Sequence, residues 1–192
     1  MNCSGRRDGN TFELLNYALN KLRILGFDIE LLHLVDFNIK PCSNCGYACL
    51  YHANCPLEDD LYVLVDRLKR ADAIIIGSPV YAGSIPAILK AFLERLNALS
   101  FTDFHELLDD KIIAIFIIGS VGNEIALQTI ISGLSTKYEG IESIIISTAI
   151  IPTGKEYYPS AWRNGGLIRD SYNRMIMDKL VEKLYRIMSS RR

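Results

Sequence analysis

Four of the chain's five cysteines lie in one short segment, with the spacing Cys42-x2-Cys45-x3-Cys49-x5-Cys55. Four thiolates this close together can ligate a 4Fe–4S cluster or a tetrahedral zinc ion. The amino end has no apolar run typical of a signal peptide, so we expect a cytoplasmic location, where clustered cysteines rarely form structural disulfides. Three interpretations stay open: an iron–sulfur cluster, zinc, and uncommitted thiols that form at most a labile disulfide.

A second candidate site is the polar loop CSGRRDGNT, residues Cys3 to Thr11, before the first predicted helix. A helix N-terminus presents unpaired backbone N–H groups and the positive end of the helix dipole, which together suit a phosphate. The donors and cations of this loop are Ser4, Arg6, Arg7, Asn10 and Thr11. The alternative interpretation is a polar helix cap whose arginines are merely solvated.

Two further loops each follow a predicted strand. Gly77–Ser84 (GSPVYAGS) offers backbone amides, a proline and the aromatic Tyr81, against which a flat heteroaromatic ligand could lie. Gly119–Glu124 (GSVGNE) carries two glycines, which permit close backbone approach to a ligand. Either loop alone is weak evidence, because turns of this composition are common and Tyr81 could simply pack.

Hydrophobic periodicity predicts helices and strands that alternate along the chain. The helices are predicted at Thr11–Leu25, Leu57–Lys69, Ile85–Leu99, Asn123–Lys137 and Ile168–Met188. The strands are predicted at Phe27–Leu34, Ala71–Gly77, Lys111–Ile118 and Ser143–Ile151, and the last three read as buried on both faces. This alternation predicts an α/β fold with a doubly wound parallel sheet.

The predicted sheet brings the three loops to one rim, because ligands of such sheets sit beyond the carboxyl ends of the strands. An anion site, an aromatic-bearing turn and a glycine turn together make a nucleotide-shaped site. The first loop lacks both the dinucleotide fingerprint G-x-G-x-x-G and the P-loop pattern. A mononucleotide such as FMN is therefore the better fit.

Length and charge exclude several classes of function. The chain has 192 residues, which fits one domain over 1–192, with the cysteine-rich loop at 41–56. A net charge of −1 gives no basic field for nucleic acid or anionic lipid, and the apolar runs are too short to span a bilayer. We therefore expect neither nucleic acid nor membrane as a partner.

At these residues the sequence resembles the NADPH-dependent FMN reductases and the iron–sulfur flavoproteins. The loop CSGRRDGNT is similar to their phosphate loop G-S-P-R-x-x-G-N-T, with Gly5 in place of the usual proline. ADAIIIGSPVYAGSIPAILKAFLERL matches their A-D-x-[IL]-[IL]-x-G-[ST]-P-V-Y-x-G segment and its continuation in register. The resemblance runs from Asn2 to about Gly140 and implies a flavodoxin-like fold with strand order 2-1-3-4-5.

The same resemblance implies an FMN site, residue by residue. The positions that would hold the FMN phosphate are Ser4, Arg6, Asn10 and Thr11. Those that would line the isoalloxazine and ribityl chain are Pro79, Val80, Tyr81 and Gly83, and those closing the other edge of the ring are Ser120, Val121 and Gly122. No proton-transfer residue stands out, so we predict none.

The resemblance also implies a cluster site and partners. Cys42, Cys45, Cys49 and Cys55 lie where the iron–sulfur flavoproteins carry a C-x2-C-x2-C motif and a later cysteine, although the gap before Cys49 is one residue longer. It further implies NAD(P)H as electron donor, a small-molecule or protein acceptor, and a homodimer or homotetramer. The alternatives are a non-enzymatic, flavodoxin-like electron carrier and a zinc-stabilised binding module on the same fold.

One feature conflicts with the predicted sheet. A central strand should precede the phosphate loop, yet only Met1 and Asn2 stand before Cys3. Without it, the neighbouring strands would present backbone groups to an apolar slot, which is costly. We therefore expect the first strand to be truncated: either the true start lies upstream, or the middle of the sheet is filled in some other way.

Overall fold

The computed structural model describes residues 1–43, 45–52, 55–96, 108, 111–135, 144–150 and 166–191. Its helices are α1 (Asn10–Ile24), α2 (Ala48–His52), α3 (Leu61–Lys69), α4 (Ala87–Leu96), α5 (Asn123–Ser135) and α6 (Ser171–Ser190). Its strands are β1 (Ala73–Pro79), β2 (Ile112–Ile118) and β3 (Ile144–Ile150), and short 3-10 helices cover Leu34–Asp36 and Leu167–Arg169. No helix in these ranges combines the length and apolarity needed to cross a bilayer.

The predicted helices are all present, with boundaries shifted by a few residues. The helix predicted from Leu57 begins at Leu61, and α2 was not predicted at all. Gly26 follows the end of α1 with φ of 88°, and its N–H donates to the carbonyl of Arg23. Glycine suits this helix end because the left-handed region costs it little. The predicted ends Leu99, Lys137, Ser143 and Ile151 lie outside the described residues.

The three strands form one parallel sheet in the order β1-β2-β3. Ile76 pairs with Ile115 across the first ladder, and Ile115 pairs with Ser147 across the second. Continuous runs of β-branched residues suit such strands because helices cover both of their faces. The fold is therefore the α/β class that the sequence predicts.

Alternation along each strand divides the core into two layers. Ile74 and Ile76 belong to the layer that α3, α4 and α5 cover, whereas Ile75 and Phe116 belong to the layer that α1 and α6 cover. At Gly77 the second layer is tight, since a Cβ there would lie 2.5 Å from the ring of Phe116. Both faces of β1 and β2 are thus covered by helices.

The predicted strand Phe27–Leu34 is wrong for the described structure. Residues 27–32 belong to no ladder, and the 3-10 helix begins at Leu34. A strand needs a hydrogen-bonded neighbour, and this segment has only an isolated parallel bridge between His33 and Asn2. Its strand-like sequence therefore lacks a partner over most of its length.

Residues 1–3 lie between the edge strand β1 and the segment around Leu32–Leu34. The N–H of Asn2 donates to the carbonyl of Leu32 at 2.7 Å, and that of Leu34 to Asn2 at 2.9 Å. On the other side, the N–H of Cys3 donates to Gly77 at 2.9 Å, and that of Gly77 to Met1 at 3.0 Å. This short segment thus pairs on both sides, as a central strand does. The full order 2-1-3-4-5 stays a prediction, because the described residues form three strands and isolated bridges.

Candidate functional site

The three loops of the predicted rim are in contact. The hydroxyls of Ser4 and Tyr81 are 3.2 Å apart, which joins the first loop to the second. The N–H of Val80 donates to the carbonyl of Ile118 at 2.8 Å, at the end of β2. Gly122 packs so closely on Gly83 that a Cβ would lie 2.5 Å from the Gly83 carbonyl oxygen. The sheet therefore brings these loops together as the sequence predicts.

The first loop folds on itself through Ser4. The Ser4 N–H donates to Asn2 Oδ1 at 3.1 Å, and its hydroxyl accepts from the N–H of Arg6 at 3.0 Å. Ser4 is buried, with 3% of its surface exposed. A buried hydroxyl with these partners holds a fixed position, so Ser4 shapes the loop as well as facing Tyr81.

The amino end of α1 lacks a side-chain cap. Gly9 is the N-cap residue and supplies no side-chain hydrogen bond to the first turn. The helix dipole favours negative charge at this end of the helix. Asn10 Oδ1 accepts from the Leu167 N–H at 3.2 Å, while Thr11 is buried with its methyl group towards Gly77.

Both neighbouring arginines of the first loop are exposed. Arg7 forms an ion pair with Asp36, and both side chains are substantially exposed. Arg6 is exposed, and its carbonyl accepts from Asn2 Nδ2 at 3.3 Å. Sequence reasoning cannot separate two adjacent arginines. The structure assigns Arg7 a partner 29 residues away.

The second loop is a tight turn. The backbone groups of Tyr81 and Ser84 bond each other at 2.8 and 3.0 Å. Between them, Ala82 and Gly83 have φ of 49° and 77°, the pattern of a type I′ turn. Alanine is unusual in this region, so the turn carries some strain at Ala82. Tyr81 remains 43% exposed, with its ring available at the rim.

The third loop contains both exposed and buried residues. Ser120 and Val121 are exposed, and Gly122 has φ of 83°. Asn123 is buried and donates from Nδ2 to the Gly119 carbonyl at 2.7 Å. Its Oδ1 is buried without a hydrogen-bond partner among the described residues. This amide was missed as a site residue, because an asparagine after glycine suggests only a helix start.

The four clustered cysteines do not form a metal site in this structure. Cys42 and Cys45 are exposed, and Cys49 and Cys55 are half-buried. Burial, with the other three thiols and Glu94 as further causes, raises the pKa of Cys42. However, the described residues contain no group of three or more His, Cys, Asp or Glu side chains that could hold an ion. The donor chemistry suits a soft metal, but the arrangement does not fit one.

Cys3, the fifth cysteine, is a core residue. It is fully buried, and burial raises the pKa of its thiol to about 12. A thiol of this kind stays protonated and packs as a small apolar group. The interpretation of Cys3 as a packing residue is consistent with this environment.

A buried ion pair lies at the base of the cysteine loop. Arg95 Nη1 donates to Asp59 Oδ2 at 2.5 Å and to the Lys40 carbonyl at 3.0 Å, and Nη2 donates to Asp59 Oδ1 at 3.2 Å. The two side chains are 1% and 0% exposed. Sequence reasoning missed this pair. The available signal was the position of Arg95, which lies three residues after Phe92 and next to Leu96 on the apolar face of a helix.

A family model described as NADPH-dependent FMN reductase matches residues 1–139. The chain belongs to this family. An iron–sulfur flavoprotein of Archaeoglobus fulgidus is 29% identical over 161 residues, which span 81% of this chain and 78% of that protein. One of Methanocaldococcus jannaschii is 38% identical over 96 residues, 50% of this chain and about half (49%) of that protein.

Solved structures give the same fold for this FMN reductase family member. FerB from Paracoccus denitrificans, a flavoenzyme NAD(P)H:(acceptor) oxidoreductase, superposes with a TM-score of 0.58 at 20% identity. The match covers 95% of this chain and 93% of that one. At this identity the likeness supports the fold alone, which is flavodoxin-like.

The hydrogen-bond donors at the rim fit FMN, the cofactor in the description of the family. The uncapped first turn of α1 and the Arg6 guanidinium suit a phosphate. The exposed Tyr81 ring, with the glycine backbones beside it, suits a flat ring system. The orphaned Asn123 Oδ1 adds an acceptor near the same loops. Each predicted FMN contact remains a prediction at the level of the single residue.

Proposed function

We propose that this chain is an FMN-dependent oxidoreductase that passes electrons from NAD(P)H to a small-molecule or protein acceptor. The observation that carries the proposal is the convergence of three loops at an α1 N-terminus without a side-chain cap. Family membership and the printed names of the relatives support the same function. We propose that residues 1–192 act as one domain in the cytoplasm.

The chain's own residues would bind and orient the cofactor. The first turn of α1, with Ser4, Arg6, Asn10 and Thr11, would hold the phosphate. The second loop (Pro79, Val80, Tyr81, Gly83) and the third loop (Ser120, Val121, Gly122) would flank the ring. Ser4 fixes the Tyr81 hydroxyl, and so couples the phosphate loop to the ring loop. Bound FMN would supply hydride acceptance and release of one or two electrons.

Removing the Arg6 guanidinium tests the phosphate site. Arg6→Ala should weaken FMN binding by about 1.5–3 kcal/mol, the contribution of a charged hydrogen bond. Fluorescence titration of FMN into the purified protein measures this change. Arg7→Ala is the matched control, because it removes the same charge at the neighbouring position, which the family resemblance does not assign to the phosphate site. Equal affinities for both variants would remove Arg6 from the site.

The reaction itself is tested by anaerobic spectroscopy. NADH or NADPH added to the FMN-loaded protein should bleach the flavin absorbance. A protein that binds FMN but is not bleached would act as an electron carrier without this activity. A colourless protein that contains zinc would contradict the flavin proposal altogether.

The cysteine loop carries a second, separate proposal. We propose that Cys42, Cys45, Cys49 and Cys55 ligate a 4Fe–4S cluster after the loop rearranges, which the names of the relatives support. Iron and acid-labile sulfide assays on anaerobically purified protein should then find both elements, and Cys49→Ser should lose them. Zinc without sulfide, or four alkylatable thiols without any metal, would contradict the cluster. No step of the proposed reaction depends on it.

We also propose that the protein is a homodimer or homotetramer. Two aromatic side chains of the cysteine loop are strongly exposed, Tyr47 at 70% and Tyr51 at 79%. Large exposed aromatic side chains favour contact surfaces over free solvent. These tyrosines would bring the loop against a neighbouring subunit.

A further inference from the structure

The side chain of Asn2 holds the first loop at two points. The N–H of Ser4 donates to Asn2 Oδ1 at 3.1 Å, and Asn2 Nδ2 donates to the carbonyl of Arg6 at 3.3 Å. Asn2 is buried, with 0% of its surface exposed. One buried amide group therefore joins two backbone positions of the loop that we propose to hold the FMN phosphate.

These two hydrogen bonds fix the orientation of the Asn2 amide. A backbone N–H can only donate, so the Asn2 atom that faces Ser4 is the amide oxygen. A backbone carbonyl can only accept, so the atom that faces Arg6 is the amide nitrogen with its two hydrogens. The amide group cannot turn over without losing both bonds.

The same amide nitrogen has a second neighbour outside the loop. His33 Nδ1 lies 3.1 Å from Asn2 Nδ2. Because Nδ2 only donates, His33 Nδ1 must accept, and a ring nitrogen accepts only when it carries no proton. A neutral imidazole with its proton on Nε2 meets this condition. An imidazolium, which is protonated at both nitrogens, would set one N–H group against another.

Backbone pairing and ring packing place the imidazole beside Asn2. The Asn2 N–H donates to the Leu32 carbonyl at 2.7 Å, and the Leu34 N–H donates to the Asn2 carbonyl at 2.9 Å. The Phe12 ring of α1 packs on the His33 ring, with 5.5 Å between the centroids and a tilt of 33°. His33 Nδ1 therefore meets Asn2 from a supported position.

The surroundings of His33 favour its neutral form. Burial lowers the pKa of His33 below the usual 6.5, and so do the Arg7 guanidinium and the Met1 amino group. Asp36, which pairs with Arg7, acts in the opposite direction. These three are the charged groups that act on the ring within the described part of the chain. The ring is thus neutral at neutral pH, as its contact with Asn2 requires.

We propose that Asn2 and His33 are positioning residues for the phosphate loop. His33 Nδ1 accepts from the Asn2 amide, and this amide fixes the backbone of Ser4 and Arg6 in the conformation that receives the phosphate. The Ser4 hydroxyl lies 3.2 Å from the Tyr81 hydroxyl, so the same contacts support the second loop. This inference rests on the proposed function, because it takes the first loop as the FMN phosphate site.

The proposal gives FMN affinity a defined dependence on pH. Only neutral His33 accepts from Asn2, so its contribution to affinity is complete above pH 6.5 and is lost as the pH falls through the lowered pKa of His33. A phosphate monoester also gains a proton near about pH 6. The contribution of His33 is therefore measured as the difference between the original protein and a variant without this titrating ring.

Two substitutions at the half-buried His33 separate the acceptor from the bulk of the ring. His33→Asn retains an acceptor, because the asparagine oxygen branches from the same carbon as Nδ1 does, and this oxygen does not titrate. His33→Leu retains apolar bulk and removes the acceptor. The two variants differ from the original protein at one position that is not part of the proposed FMN contacts.

Amide exchange in the FMN-free protein tests the loop itself. At neutral pH, exchange at the Ser4 and Arg6 amides should be about 10-fold faster in His33→Leu than in the original protein, and unchanged in His33→Asn. Equal exchange in all three proteins would overturn the proposal. So would equally fast exchange in both variants, because lost packing on Phe12 would then explain the effect.

Fluorescence titration tests the consequence for FMN. At about pH 8, His33→Leu should bind FMN about 5-fold more weakly, the effect of one neutral hydrogen bond, and His33→Asn should bind within about 2-fold of the original protein. Between about pH 8 and about pH 5, the original protein should lose about 5-fold more affinity than His33→Asn does. Identical pH profiles for these two proteins would contradict the role of His33.

The position of the imidazole proton is a direct check. At about pH 8, long-range nitrogen–proton NMR correlations should place the proton of His33 on Nε2. A proton on Nδ1 would overturn the proposal, since Asn2 Nδ2 would then face a second donor. If the original protein binds no FMN at any pH, the proposed function fails. The exchange and NMR measurements then still decide whether His33 positions the loop.

Discussion

Replacing Asp59 with asparagine should lower the free energy of unfolding by about 3–5 kcal/mol. The reason is that the substitution leaves the Arg95 guanidinium, 1% exposed, without its countercharge. The described structure offers no other carboxylate to this guanidinium, and Arg95 Nε is already buried without a partner there. Urea denaturation of the two proteins at neutral pH measures the difference.

Asp60→Asn is the matched control, since it makes the same chemical change one residue along. Asp60 Oδ2 accepts from the Asn38 N–H at 2.7 Å in an exposed setting. Loss of a single exposed hydrogen bond should cost about 1 kcal/mol or less. If the Asp59 variant is no less stable than the Asp60 variant, the buried pair does not stabilise the fold.

The pH dependence of this pair has a defined sign. Burial alone works to raise the pKa of Asp59, but hydrogen bonds from Arg95, Lys40 and Leu61 outweigh it and lower the pKa below the usual 3.8. A carboxyl whose pKa is lowered on folding binds fewer protons in the folded state. Its stabilisation is therefore complete above pH 3.8 and is lost as the pH falls through the folded value. The Asp59→Asn variant should lack this acid-dependent loss.

The same pair should control the cysteine loop. Asp59 Oδ2 also accepts from the Lys40 N–H at 2.9 Å, so the pair joins the two ends of the segment that holds the thiols. Without it, the half-buried Cys49 and Cys55 should react faster with a thiol reagent than in the Asp60 variant. Stability and loop closure are then measured on the same proteins.

The parts of the fold that follow from local pattern could be predicted. The apolar runs of β1 and β2 indicate burial on both faces, and parallel strands must end at a common edge. The contact of Ser4 with Tyr81 and the packing of Gly83 on Gly122 follow from that edge. The meeting of the loops is thus a consequence of topology.

Pairings between distant residues could not be predicted. The sequence around Arg7 does not indicate Asp36 as its partner, and the sequence around Arg95 does not indicate Asp59. Ion pairing of this kind depends on which surfaces meet after folding. The prediction of a strand at Phe27–Leu34 was wrong for a related reason. Its residues suit a strand, but strand formation depends on a neighbour that these residues do not encode.

Gly122→Ala should weaken FMN binding at least about 10-fold, which corresponds to about 1.4 kcal/mol. Gly122 has φ of 83°, and its new Cβ would lie 2.5 Å from the Gly83 carbonyl oxygen and 2.8 Å from its Cα. These are backbone atoms, so no side-chain rotation can relieve the collision. The second and third loops must move apart, and the proposed ring site moves with them.

Alanine variants at two other glycines distinguish the effect of this collision from the effect of backbone strain. Gly26 and Gly83 also have positive φ, at 88° and 77°, but a Cβ at either would meet nothing within 4 Å. Alanine at each should cost roughly 1–2 kcal/mol for the left-handed conformation alone. Gly26→Ala, at the end of α1, should therefore lower stability and leave FMN affinity unchanged. If Gly122→Ala binds FMN as tightly as Gly26→Ala does, the contact between the two loops does not shape the cofactor site.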